Sequence, residues 1–255
     1  MNYLTAVHTD IGIRKKTNQD SALIMEAESD IGNVLLTVIC DGMGGLDKGE
    51  VASSAVIRAF SQWFKNELPR ILTLEDPKDR IFSSWEKISF SCNGSISRYG
   101  KSMGVSMGTT LAAVLFVKNN YYIINIGDSR AYCISDNVYQ LTKDQSYVQR
   151  EMDMGRMTYE EAMRSPQRNV LLQCVGASDI IEPDFFSGQF GPGQVFMLCS
   201  DGFRHVINEA ELYNNLNPSV LVNEQVMKDR AYYLTELNKS RMERDNITVI
   251  LVKTV

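Results

Sequence analysis

The sequence predicts an α+β layered fold in which two β-sheets are covered by helices. Short apolar runs bounded by turn residues indicate strands, and long amphipathic segments between them indicate helices. At 255 residues with 44% hydrophobic content, the chain is long enough to bury a sizeable core. No linker rich in Pro, Gly or Ser and no internal repeat divides it, so we expect one domain over residues 1–255.

The first half of the chain predicts one buried strand followed by two helices. Val34–Cys40 is mostly β-branched and aliphatic and ends at Asp41-Gly42, which is typical of a buried strand leading into a turn. From Glu50 onward, apolar residues recur at helical spacing. A second helix is predicted over Asp79–Tyr99, and both helices should turn an apolar face towards the core.

The pattern changes to short strands between Thr109 and Leu141. Turn residues interrupt the apolar runs there, and we interpret the region as an antiparallel meander. Its predicted strands are Thr110–Val117, Tyr121–Ile126, Ala131–Ile134 and Val138–Leu141.

A surface excursion follows at Lys143–Gly176, which is polar and helical in pattern. A capping-box match at Thr158 and Glu161 supports a helix within it. The chain returns to predicted strands at Val195–Cys199 and Ile247–Val252, with helices over Asn208–Asn215 and Val220–Leu237 between them.

Charge and composition limit the partners that we expect. The 26 basic and 31 acidic residues leave a net charge of −5, and no run of Lys or Arg suggests a nucleic-acid face. The five cysteines show no C-x-x-C spacing, which favours reduced thiols and a cytoplasmic location. No apolar stretch approaches the ~20 residues that span a bilayer, so we expect no membrane association.

Aspartates stand beside the predicted strands at several points along the chain. They are Asp41, Asp128, Asp201 and Asp245, with Asp20 as a fifth candidate. Converging carboxylates repel one another unless a cation neutralises them, and oxygen ligands select hard ions such as Mg²⁺ or Mn²⁺. Each aspartate alone could be an ordinary turn or cap residue. Their shared setting favours a metal site, and His8 and His205 are too few for a His-rich one.

Two nearby features refine this hypothesis. Arg14 precedes Asp20 in the same polar segment, and a guanidinium beside hard cations suits the binding of a phosphate dianion. The glycine-rich segment at residues 42–47 follows a strand and precedes a helix, as in dinucleotide-binding folds. However, Asp47 stands where such a loop has its third glycine, and Asp41 would repel a pyrophosphate.

A set of short motifs follows one another along the chain: Arg14…Asn18-Gln19-Asp20, Asp41-Gly42-Met43-Gly44-Gly45, Gly108-Thr109-Thr110, Gly127-Asp128-Ser129-Arg130, Leu141-Thr142-Lys143-Asp144, Ser200-Asp201-Gly202 and Asp245-Asn246. In this order they resemble the metal-dependent protein phosphatase family (PPM, or protein phosphatase 2C) in its compact bacterial form. Each motif alone is weak, but the ordered set, from about Thr9 to Val252, is highly specific.

The resemblance implies a four-layer α-β-β-α sandwich of two antiparallel sheets flanked by helices. It implies a two-metal centre at one end and a helical flap near the active site, at about residues 143–176. The cofactor is expected to be Mn²⁺ or Mg²⁺, with two ions per site and a third, weaker one. By motif position, Asp41 should bridge both ions. Asp20 and the Gly42 carbonyl should bind one of them, and Asp201 and Asp245 should bind the other. Asp128 with Asp201 should bind the third ion, and Arg14 should bind the substrate phosphate.

The implied activity is hydrolysis of phosphoserine and phosphothreonine by direct in-line attack of a metal-bridging water. Met43 stands where animal members often have a histidine that is proposed as the general acid, and Gln145 stands where histidine is also common. The expected substrates are phosphoproteins of a cognate kinase, with the kinase itself as a further candidate, and the expected state is a monomer.

Other functions remain open. The chain could be a regulatory pseudophosphatase or another phosphoprotein-binding module of the same fold. It could also be a phosphatase for small phosphate esters, or a developmental regulator that opposes an anti-sigma-factor kinase.

Overall fold

The computed structural model describes residues 1–43 and 48–255, so Gly44, Gly45 and Asp47 of the glycine-rich segment lie outside the described residues. The strands are β1 (Tyr3–Asp10), β2 (Ser21–Ser29), β3 (Gly32–Cys40), β4 (Gly42–Met43), β5 (Gly108–Thr109), β6 (Leu111–Val117), β7 (Asn120–Ile126), β8 (Arg130–Ile134), β9 (Val138–Gln140), β10 (Asp184–Gln189), β11 (Val195–Cys199) and β12 (Ile247–Thr254). The helices are α1 (Gly49–Asn66), α2 (Leu68–Ile71), α3 (Lys78–Met103), α4 (Tyr147–Asp153), α5 (Tyr159–Arg164), α6 (Asp201–Arg204), α7 (Glu209–Leu216) and α8 (Glu224–Ser240).

Two antiparallel sheets of five strands form the centre of the molecule. One has the order β1-β12-β11-β8-β9 and the other the order β10-β7-β6-β3-β2, while β4 and β5 form a separate short pair. The predicted antiparallel meander is therefore wrong at one point, because β7 and β8 belong to different sheets.

The chain crosses between the sheets at Gly127, and local hydrogen bonds explain why. The Gly127 amide donates to Gln145 Oε1 at 2.8 Å, and the Gln145 amide donates to the Gly127 carbonyl at 2.9 Å. Gly127 also has a φ of +100°, and a Cβ there would lie 2.7 Å from Thr110 Cγ2. These bonds replace a strand ladder at Gly127, so the next strand starts in the other sheet.

Three apolar clusters confirm the four-layer α-β-β-α arrangement. Helices α1 to α3 cover one sheet, and alternate residues of β3, such as Leu36 and Val38, face them. Helices α6 to α8 cover the outer face of the other sheet. Between the sheets lie side chains of both, among them Leu35, Phe196 and Ile250. The alternation along β3 follows from the two-residue period of a strand whose faces are both buried.

Most predicted elements agree with the structure, but the helix predicted from Val220 begins only at Glu224, and the edges and the flap differ as well. The edge strands β1, β2 and β10 lack a predicted counterpart because half-exposed positions make them more polar than the central strands. The excursion at 143–176 is helical only over α4 and α5, where the capping box at Thr158 and Glu161 is confirmed. None of the helices described is long and apolar enough to cross a bilayer.

Candidate metal centre

The five candidate aspartates come together because antiparallel neighbours place the end of one strand beside the start of the next. Asp41 follows β3 and Asp20 precedes β2, and the register pairs the adjoining residues Cys40 and Ser21. In the other sheet, Asp201 follows β11 and Asp245 comes shortly before β12. Asp128 lies at the crossing between the sheets. Each sheet thus contributes carboxylates to the same end of the sandwich.

A small cavity of about 140 Å³ opens at this end. Its lining residues are Lys15, Gln19, Asp41, Gly42, Met43, Thr110, Asp128, Asn169, Leu171, Asp201 and Asp245. Asp20 lies beside this group and accepts a 3.0 Å hydrogen bond from the Ser200 hydroxyl. Arg14 is exposed and does not line the cavity, whereas its neighbour Lys15 does.

The Asp41-Gly42 turn is held by its backbone. The Asp41 amide donates to Thr110 Oγ1 at 2.9 Å, and its carbonyl accepts from the Thr110 amide at 2.9 Å. The Gly42 amide donates to the Gln19 carbonyl at 3.2 Å. A Cβ on Gly42 would lie 2.4 Å from that same carbonyl oxygen, so a side chain cannot be accommodated without moving the backbone. The turn therefore fixes Asp41 next to the segment that ends at Asp20.

Asn246 joins the other two carboxylates to this arrangement. Its Oδ1 accepts from the Gln19 amide at 2.9 Å, and its Nδ2 donates to the carbonyls of Ile11 and Thr17. A Cβ on Gly202 would lie 2.1 Å from the Asn246 carbonyl oxygen. The close approach brings the segment of Asp201 against the segment of Asp245.

Burial and mutual repulsion perturb these carboxylates. Burial, together with the charges of Asp201 and Asp245, raises the pKa of Asp20 to about 7. Burial and the charge of Asp201 raise the pKa of Asp128 to about 7, although Arg204 lowers it. Burial and four neighbouring aspartates raise the pKa of Asp41 well above its usual value. The cluster is therefore short of positive charge near neutral pH.

The donor set fits hard divalent cations. Asp20 Oδ1 and Asp201 Oδ1 are buried without a hydrogen-bond partner, and every candidate ligand is an oxygen. Within residues 1–43 and 48–255, no three acidic, histidine or cysteine side chains lie close enough to hold one ion directly. Lys15 Nζ lies 2.6 Å from Asp245 Oδ1, so ion binding at Asp245 would have to compete with this ammonium.

Sequence reasoning missed several residues that surround the cluster. His205 lies between Asp201 Oδ2 at 3.4 Å and Glu243 Oε2 at 3.3 Å. Arg204 contacts Asp128, and Asn169 reaches the cavity from the excursion. The position of Arg204 and His205 directly after the Ser-Asp-Gly motif was a signal that could have drawn attention to them.

Comparisons with known proteins identify the family. Residues 13–242 match the family model described as Protein phosphatase 2C. The serine/threonine phosphatase Stp of Listeria monocytogenes serotype 4b is 33% identical over 250 residues, which covers 96% of this chain and 93% of that protein. A Streptococcus agalactiae serine/threonine phosphatase structure has a TM-score of 0.84 and 30% identity, with 100% of both chains covered.

A third relative was solved with metal. The catalytic domain of the serine/threonine protein phosphatase PstP in complex with two manganese ions has a TM-score of 0.78 and 28% identity. The match covers 99% of this chain and 98% of that one. The family model, the relatives and the shared architecture lead to one conclusion: this chain belongs to the protein phosphatase 2C family.

Proposed function

We propose that the chain is a metal-dependent protein serine/threonine phosphatase. Three relatives described above carry serine/threonine phosphatase in their names, and one of them was solved with two manganese ions. The single observation that carries the proposal is the acidic cavity at the end of the sandwich, with its buried and unpartnered carboxylate oxygens. A phosphoprotein-binding role alone would not require such a concentration of buried negative charge.

In this proposal, Mn²⁺ or Mg²⁺ is held by Asp20, Asp41, the Gly42 carbonyl, Asp201 and Asp245. Bound ions of this kind supply a water nucleophile at neutral pH and neutralise charge on the phosphate. The chain's own contribution is to fix the carboxylates on strand ends and to bury them, so that they do not reorganise during the reaction.

We propose that Arg14 binds the substrate phosphate from the rim of the cavity. It lies next to Lys15, which lines the cavity, and its exposed side chain is on the same loop as Asp20. A guanidinium at the rim can form two parallel hydrogen bonds to phosphoryl oxygens. Arg14→Lys and Arg14→Ala should both raise the KM for a phosphopeptide, with the lysine variant less affected, and leave Mn²⁺ affinity unchanged.

The decisive experiment compares hydrolysis of a phosphothreonine peptide by the wild type, Asp41→Asn and Asp201→Asn, with and without Mn²⁺, and with chelator as a control. We expect turnover that requires metal and falls at least ~100-fold in each variant, because an outer-shell partner alone typically contributes 10–100-fold. Folded wild-type protein that binds the peptide without turnover under any divalent ion would instead establish a pseudophosphatase.

The physiological partners follow from the same proposal. We propose phosphoproteins of a cognate kinase as substrates and a monomeric, cytoplasmic enzyme. The five cysteines are all buried and free, which suits a reducing compartment. Equal activity on sugar phosphates and phosphopeptides would argue for a small-ester phosphatase, and light scattering would test the monomer.

A further inference from the structure

A buried arginine lies against Asp128, the carboxylate expected to help to hold a third metal ion. Arg204 Nη2 donates to the Asp128 carbonyl at 3.0 Å and lies 3.5 Å from Asp128 Oδ2. The same nitrogen lies 3.3 Å from Asp144 Oδ2. The Arg204 side chain is 11% exposed and the Asp128 side chain 9%, so water screens the pair weakly.

Arg204 cannot easily leave this position because its partner is itself held. Arg130 donates two hydrogen bonds of 2.7 Å to the two oxygens of Asp144, and its Nη1 donates to the Tyr132 hydroxyl at 2.9 Å. Asp144 is therefore fixed between two guanidinium groups. A bidentate pair of this kind is geometrically rigid.

Positive charge already lies beside Asp128 without a metal ion. Two arginines, Arg130 and Arg204, face two carboxylates, Asp128 and Asp144. The remaining four candidate carboxylates are Asp20, Asp41, Asp201 and Asp245. Of these, Asp245 contacts Lys15, and Asp201 contacts His205, which also contacts Glu243. Two divalent cations would add four positive charges to this group of carboxylates.

We propose that Arg204 serves as a built-in cation at Asp128, so that this chain holds two divalent ions and not three. This inference rests on the proposed function, since it concerns the metal complement of the same cavity. A divalent ion bound to Asp128 would face a fixed guanidinium in surroundings that screen charge poorly, and their repulsion would oppose binding. Asp128 then acts through Arg204 as a positioning group for α6, the helix that begins with Asp201.

The test is a titration with Mn²⁺ in which the electron paramagnetic resonance signal of the free ion reports the number bound per chain. We expect two ions for the wild type and for Asp128→Asn, because Asp128 holds none. Arg204→Gln should bind a third ion, and the double variant Arg204→Gln with Asp128→Asn should return to two. Arg204→Lys keeps a positive charge and should stay at two.

The number of Mn²⁺ ions bound by each variant tests whether Asp128 holds a third ion. Three ions on the wild type, or one fewer ion on Asp128→Asn, would overturn the inference and leave the proposed function intact. A folded Arg204→Gln that still binds two would overturn it as well. If Arg204→Gln does not fold, the wild type and Asp128→Asn decide alone. Absence of any Mn²⁺ binding to the folded wild type would defeat the proposed function itself.

Discussion

Asn246 is a side chain whose removal should weaken both the fold and the metal centre. Its carboxamide accepts from the Gln19 amide at 2.9 Å and donates to the carbonyls of Ile11 at 2.9 Å and Thr17 at 3.2 Å. It is 2% exposed. The loop that it holds carries Arg14 and Lys15 and ends at Asp20, so Asn246→Ala should loosen that loop.

The magnitude follows from what alanine leaves behind. The bonds to the Ile11 and Thr17 carbonyls are partly buried, and each lost bond costs ~0.5–1.5 kcal/mol. Gln19 is buried, and an unsatisfied amide there costs ~1–3 kcal/mol. The free energy of unfolding should therefore fall by roughly 2–6 kcal/mol. At a chain length near this one, each kcal/mol lowers Tm by ~2–4 °C.

The metal centre should respond as well, because Asn246 adjoins Asp245 and binds the residue before Asp20. We expect Mn²⁺ affinity to fall by about 10–100-fold, as for the loss of an outer-shell partner. Calorimetric titration with Mn²⁺ and thermal unfolding measure the two effects. Asn93→Ala is the matched control, since its carboxamide also ties two backbone groups, at Gly176 and Ser178, away from the carboxylates. Equal Mn²⁺ affinity in both variants would refute the reasoning.

Three further predictions concern the same cavity. Lys15→Gln should tighten Mn²⁺ binding by up to about fivefold in a calorimetric titration. The reason is that a partly exposed ion pair, such as that of Lys15 with Asp245, contributes at most ~1 kcal/mol. Weaker binding would show that Lys15 does not compete with the ion. Burial raises the pKa of Asp20 to about 7, against ~3.9 in the unfolded chain. Because the folded chain binds this proton more tightly, protonation of Asp20 stabilises the metal-free fold fully below about pH 4, and this stabilisation is lost as the pH rises through 7. Because metal binding requires the ionised carboxylate, the rise in Tm caused by Mn²⁺ should be larger at about pH 8 than at about pH 5, and a pH-independent rise would contradict this. Gly202→Ala should lower the free energy of unfolding by ~1–3 kcal/mol and weaken Mn²⁺ binding, because its Cβ would lie 2.1 Å from the Asn246 carbonyl oxygen. Gly191→Ala, which has open space around it, should change neither quantity.

The sequence was sufficient to predict the layers and the carboxylates because both depend on local pattern. A buried strand such as β3 shows as a continuous apolar run, and Asp41 follows directly where that run ends. Asp128 and Asp201 occupy equivalent places after β7 and β11. Strand ends converge by the geometry of antiparallel pairing, so position along the chain was enough to predict position in space.

The remaining features depend on contacts between distant residues, which local pattern does not report. The crossing at Gly127 is set by its bonds to Gln145, and the motif alone could not show that β8 joins the other sheet. Arg204 contacts Asp144 across 60 residues of chain. Lys15 and Arg14 are adjacent and chemically similar in sequence, and only the fold of the loop places Lys15 in the cavity.

The two sides of the cavity differ in how firmly they are held, and this divides their contributions. Asp41 and Asp201 stand at the ends of the central strands β3 and β11, which are buried along almost their whole length. Asn169 and Leu171 come from the excursion, where nearby backbone bonds join Leu172 to Gln145 and Tyr147 to Val170. Local opening is easier where fewer buried contacts resist it. Changes in the excursion should therefore alter the KM for a phosphopeptide, whereas changes at the strand ends should alter metal affinity and kcat.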